Sequence, residues 1–104
     1  MNRSPALLLL LAGWLAPLSG TLASPELAKA KHCLACHATD KKLIGPAFKD
    51  VAARYRSDPG APARLTLKVL KGGGGVWGNA VRPSNPQLSE AEAQQLVSWI
   101  LVLR

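Results

Sequence analysis

Six consecutive residues, His32-Cys33-Leu34-Ala35-Cys36-His37, contain every cysteine and histidine of the 104-residue chain. Within them, Cys33 to His37 reads C-x-x-C-H, the pattern of covalent c-type haem attachment. The spacing has a chemical reason. Residues three apart on a helical turn share a face, so Cys33 and Cys36 can each form a thioether with one of the two porphyrin vinyl groups. His37, next along, can then offer its imidazole to the iron. A ligand fixed beside two covalent tethers keeps the cofactor from being lost in a dilute compartment.

Other chemistries use the same residue types. A thioredoxin-like C-x-x-C needs a βαβ setting, and there is no alternating β-branched run to supply one. A zinc site needs four ligands in tetrahedral array; no Cys or His exists beyond these four, and adjacent Cys33 and His32 are awkward partners on one metal. A local Cys33–Cys36 disulfide stays open as an alternative for the haem-free chain. His32 reads as a solvated helix residue on the tethered side, badly placed to swing to the opposite haem face.

The elements that must position these residues are helical. Ser24 is a good N-cap and Pro25 suits a first helical position, which predicts a helix from about Pro25 into the Cys33 region, with Leu27, Ala30 and Leu34 on one face. Gly45-Pro46-Ala47-Phe48 turns the chain, and Phe48, Val51, Ala52 and Tyr55 trace one face of a second helix. Ser57-Asp58-Pro59-Gly60 closes it. A third helix is expected from Ala63 to Lys71, ended by Gly72 to Gly75. Val76 to Leu88, rich in Pro and Asn, is hard to read as helix or strand. Ser89 with Glu92 makes a capping box for a last helix whose apolar positions are Leu96, Val97, Ile100 and Leu103.

Met1 to Ala23 reads as a cleaved export signal: Arg3, an apolar run from Ala6 to Ala16, then Pro17, Ser19, Gly20 and the small residues of Thr21-Leu22-Ala23. A retained membrane anchor, the alternative, would need about 20 apolar residues. Removal leaves residues 24–104 as one domain, a size at which an apolar core alone is marginal and a cofactor is often recruited. The chain carries 13 Lys plus Arg against 6 Asp plus Glu. Without Arg3 the balance is 12 minus 6, or +6, and two haem propionates would bring it to about +4. No Lys/Arg stripe interleaved with aromatics is present, so nucleic acid is not expected as a partner. Positive charge is expected to steer encounter with acidic docking faces of redox partner proteins, with Lys29, Lys31, Lys41, Lys42, Lys49 and Lys71 around an exposed haem edge.

Cys33-Leu34-Ala35-Cys36-His37, Gly45-Pro46-Ala47-Phe48-Lys49-Asp50-Val51-Ala52, Gly75-Val76-Trp77-Gly78 and Asn85 follow in an order and spacing similar to the short bacterial monohaem cytochromes c of class I. The resemblance covers essentially all of residues 24–104. It implies an all-α fold of four to five short helices wrapped around one covalently bound haem c, with N-terminal and C-terminal helices that cross. It also implies a soluble, monomeric periplasmic electron carrier of a respiratory chain, not an enzyme. His37 resembles the proximal iron ligand, and the Pro46 carbonyl the acceptor for its other ring nitrogen, a bond that fixes the ring and raises its basicity. Trp77 resembles the indole that donates to a haem propionate, with Lys68 as its cationic neighbour. Asn85 resembles the amide that hydrogen-bonds the distal ligand. On residue type alone, Phe48, Tyr55 and Trp77 are packing aromatics and Lys68 is a solvated helix residue.

The family's distal ligand is a methionine between Trp77 and Asn85, yet the only methionine here is Met1. Register puts Arg82, or its neighbour Val81, at that place. A guanidinium keeps its proton and offers no lone pair to iron. Two function classes follow. One is an electron carrier whose sixth position is filled by water, by Asn85 or by a deprotonated lysine such as Lys71. The other is a five-coordinate haem protein that binds or senses NO or CO at an open distal site beside Arg82. Distal polarity and access decide between them. Scaffold, compartment and charge favour the electron carrier. Peroxidase-like catalysis lacks a distal histidine to act as acid or base.

Overall fold

The computed structural model describes residues 22–104. Four helices, α1 (Ser24–Ala30), α2 (Phe48–Tyr55), α3 (Ala61–Lys71) and α4 (Glu90–Leu101), form the framework. A 3-10 turn spans Cys33–Ala35, and two short strands, β1 (Gly73–Gly74) and β2 (Val81–Arg82), pair antiparallel. The expected export signal lies outside the described residues, apart from Leu22 and Ala23. No helix among the described residues is long and apolar enough to cross a membrane.

The start of the chain departs from expectation in two ways. Ala23, not Ser24, occupies the N-cap, and no side chain caps the helix. Ser24 is instead the first helical residue, and its Oγ accepts from Gln95 Nε2 of α4 at 3.3 Å. The helix also stops at Ala30, because His32 takes a left-handed conformation with φ 65°. Histidine tolerates that region better than bulkier or β-branched residues. The reversal re-aims the chain, so Leu27 is buried while Ala30 and Leu34 are exposed. His32 is exposed, as expected, but sits in a turn rather than a helix.

The remaining helices follow their sequence signals more closely. In α2, Phe48 and Ala52 are buried and Val51 and Tyr55 half-buried. α3 begins at Ala61 rather than Ala63, because the Asp58 carboxylate accepts from the Gly60 N–H at 3.0 Å and pairs with Arg64, which organises the entry turn. Gly72 ends α3 at φ 83°, its N–H returning to the Lys68 carbonyl. The capping box on α4 forms: Ser89 Oγ accepts from Glu92 N at 3.0 Å, and Glu92 Oε1 accepts from Ser89 N at 2.9 Å.

α4 packs on α1, α2 and α3, and its buried Leu96 joins Leu27, Ala28 and Leu88 in the core. Alanines 28, 52, 61 and 93 are also buried, which lets backbones approach closely. Few large side chains fill the centre: Leu96 is the one large side chain below 2 % exposure among the described residues. Leu65, Val69, Ile100 and Leu101 are only half-buried, because they face a cavity instead of one another.

Candidate haem site

The cavity has a volume of about 350 Å³ and is bounded by all four helices and both strands. Eight of the residues singled out from the sequence line it: Cys33, Cys36, His37, Pro46, Lys68, Trp77, Arg82 and Asn85. Cys33 and Cys36 are free thiols, so the disulfide alternative does not describe this structure. They lie at either end of the 3-10 turn, where residues three apart eclipse more nearly than on an α-helix. Burial pushes the Cys33 thiol above its ordinary value, while the Arg82 charge works in the other direction. Among the described residues, no three His, Cys, Asp or Glu side chains converge as a metal cluster, which removes the zinc alternative there.

His37 is fixed from several sides. Its Nδ1 donates to the Pro46 carbonyl at 2.7 Å, which places the ring proton on Nδ1 and leaves Nε2 as an acceptor. Burial holds the ring below the ordinary histidine value; the Pro46 carbonyl opposes this and the Arg82 charge reinforces it. A neutral imidazole with one committed N–H is the form a metal needs. The ring stacks on Phe48, with centroids 5.0 Å apart, and Phe48 meets Trp99 edge-on at 5.7 Å. A Cβ on Gly45 would fall 2.5 Å from His37 Cε1, so only glycine admits the ring here.

Arg82 faces His37 across the cavity. Its Nη1 donates to His37 Nε2 at 3.2 Å, and its Nε is buried without a partner. Val81 is 76 % exposed, so the register ambiguity resolves to Arg82 as the inward residue. Its backbone is held firmly: Arg82 pairs with Gly73, and a Cβ on Gly72 would come within 2.6 Å of the Arg82 carbonyl. Asn85 ties the same segment to the end of α3, its N–H donating to the Leu70 carbonyl and its Nδ2 to the Val69 carbonyl, both at 3.1 Å. The Asn85 Oδ1 accepts from Gln87. The amide thus has structural partners on both ends, which weighs against it as an iron ligand. Lys71 is exposed and lies off the cavity wall.

Arg54 of α2 stacks on Trp77, with its guanidinium carbon 4.9 Å from the ring centroid, while Lys68 lines the cavity together with Trp77. Trp77 is 36 % exposed, at the edge of the cavity. Of the lysines proposed to ring a haem edge, Lys42 lines the cavity and Lys29, Lys41 and Lys49 are exposed. Lys31 is engaged elsewhere, 3.6 Å from Glu92 and bonded to the Gln87 carbonyl. Sequence reasoning assigned Phe48 only to packing and missed Gly45 and Arg54. Gly45 had a usable signal, since a glycine next to the proline that receives the His37 bond must pass close to that ring. Arg54 had none, because Trp77 is far along the chain.

The donor set fits haem c. Two thiols on one turn, an oriented neutral imidazole facing inward and an aliphatic wall enclose a space the chain does not fill. The sequence matches the Cytochrome c family over residues 23–104. It is 49 % identical over 76 residues to cytochrome c-551 of Azotobacter vinelandii, spanning 73 % of this chain and 92 % of that one. It is 47 % identical over 98 residues to cytochrome c-551 of Pseudomonas aeruginosa, spanning 92 % and 93 %. Among solved structures, wild-type cytochrome c552 of Nitrosomonas europaea superposes with a TM-score of 0.75 at 42 % identity, covering 77 % of this chain and 99 % of that one. With the family match running over residues 23–104 and the cysteine pair and histidine lining one cavity, the chain belongs to the cytochrome c family and carries one covalent haem c.

Proposed function

We propose that this chain is a periplasmic electron carrier of a respiratory chain. The observation that carries the reading is the fixed imidazole: His37 Nδ1 on the Pro46 carbonyl, Nε2 toward a cavity flanked by Cys33 and Cys36. When bound, haem c supplies a one-electron ferric/ferrous couple. The protein's part is to hold and tune it. Cys33 and Cys36 would tether the group through thioethers, and His37 would ligate the iron through a ring whose orientation is fixed by its hydrogen bond to Pro46 and its stacking on Phe48. The aliphatic wall of Leu65, Val69, Leu96 and Ile100 excludes water, and Trp77 with Lys68 offers donors to the propionates. A rigid site needs little rearrangement per electron.

Residues 1–23 serve in this reading as an export signal, and residues 24–104 work as a soluble monomer. The exposed lysines Lys29, Lys41, Lys42 and Lys49 steer it toward acidic faces of reductases and oxidases, with no enzymatic step of its own. The test is the absorption spectrum of purified protein in both oxidation states, with its reduction potential and its electron-exchange rate with a small-molecule mediator. Covalently retained haem that cycles reversibly is expected. A chain that matures without haem, or whose haem cannot be reduced and reoxidised, would refute the reading.

A further inference from the structure

We propose that Arg82 turns the side of the cavity opposite His37 into a site for a small anion bound on the haem iron, with the guanidinium as its hydrogen-bond donor. The inference rests on the haem reading and goes beyond it, because an electron carrier has no need of such a site.

The starting point is the partner Arg82 now has. Its Nη1 donates to His37 Nε2, the same lone pair that a metal takes. Metal ligation therefore removes this acceptor from Arg82. Its Nε already lacks one. The ion pairs among the described residues are Lys31–Glu92 and Arg64–Asp58, so no described carboxylate pairs with Arg82. A guanidinium cannot shed its proton to relieve the burial, and a buried cation without a partner is costly.

Retreat to solvent is restricted by the backbone. The Gly73 pairing, the close crossing at Gly72 and the Asn85 bonds to α3 fix where residue 82 sits, and the strand's alternation already sends Val81 outward and Arg82 inward. The acceptors left are a haem propionate or an anion from solution, and the position of Nη1 beside His37 Nε2, the nitrogen that would hold the iron, favours the anion. Arg82 supplies planar, charged N–H donors to it, and the half-buried Lys68 on the same wall adds positive potential. The ligand class this selects is a small anion with lone pairs both for iron and for N–H groups, such as azide, cyanide, nitrite or fluoride.

Ferric holoprotein of wild type, Arg82→Leu and Arg82→Lys is titrated with azide and, separately, with neutral imidazole, following the visible spectrum. Covalent haem retention on a denaturing gel is checked first, so that failure of haem attachment is told apart from failure of the anion site. Azide affinity is expected to fall by about tenfold or more in Arg82→Leu and to be partly kept in Arg82→Lys, while imidazole affinity does not fall. Arg82→Gln, which keeps most of the side-chain length, makes the same comparison if the leucine variant does not fold. Azide affinity within about twofold of wild type in the uncharged variant overturns the proposal; this is the result if the guanidinium pairs with a haem propionate instead. A wild-type ferric protein that takes up haem but refuses azide also overturns it.

Discussion

Gly45 lies against the imidazole of His37 so closely that a Cβ there would stand 2.5 Å from Cε1 and 2.9 Å from each ring nitrogen. The bond to the Pro46 carbonyl and the stacking on Phe48 leave the ring little room to yield. Gly45→Ala is therefore expected to lower stability by about 1–3 kcal/mol and to perturb the axial ligand, seen as a lower melting temperature and a shifted visible spectrum. A variant that melts and absorbs like wild type would show that the ring is not held where the structure puts it.

A pH effect follows from two surface carboxylates, both half-buried by their partners. Asp58 is held below the ordinary range chiefly by the Arg64 side chain, and Glu92 chiefly by the Ser89 N–H of the capping box. Each is depressed in the folded state, so each contributes stability that is present above its unfolded value and lost as pH falls through the folded one. The melting temperature should thus decline from the ordinary carboxylate range downward, and Glu92→Gln and Asp58→Asn should each flatten that acid limb. Ser89→Ala should cost about 1 kcal/mol at neutral pH through loss of the cap. An unchanged acid limb in both carboxylate variants would assign the acid sensitivity elsewhere.

Cys33→Ala combined with Cys36→Ala should abolish covalent haem attachment and, with it, much of the helical order. The physical reason is the hollow core: Leu65, Val69, Ile100 and Leu101 line the cavity and find few partners in one another. A domain this small has little apolar burial to spare. Far-ultraviolet dichroism of the double variant provides the check. Wild-type helicity and a cooperative melt would show that the helices stand without the cofactor.

Local chemistry was legible in the sequence wherever it acts over a few residues. The Ser89/Glu92 box, the end of α3 at Lys71 and the thiol pair beside His37 are of this kind, and the cytochrome c family could be read from motifs alone. What escaped was set by distant contacts. The early end of α1 depends on His32 adopting a left-handed conformation, which no periodicity reports, and Ser24 leaves the N-cap in favour of a bond from Gln95, 71 residues away. Val76 to Leu88 has no repeating pattern because α3 shapes it: Gly72, Gly73 and the carbonyls of Val69 and Leu70 dictate where Arg82 and Asn85 go.

The direction of Arg82 leads to the last prediction. A side chain at this position points toward His37 Nε2, so a thioether placed there would lie within reach of an iron held by that nitrogen. Arg82→Met also removes a half-buried charge from an aliphatic cavity, and Asn85 still clamps the segment to α3. The variant is expected to become low-spin, to gain the weak far-red thioether-to-iron band in the ferric state, to bind azide more weakly than wild type and to show a higher reduction potential, since a Met ligand raises that of a c-type haem. Ferric absorption and a spectroelectrochemical titration of the two proteins measure all four. If the band were absent and the potential unchanged while haem stayed attached, residue 82 would not face the iron. If wild type itself already showed the band, a methionine from outside residues 22–104 would have to be supplying the sixth ligand.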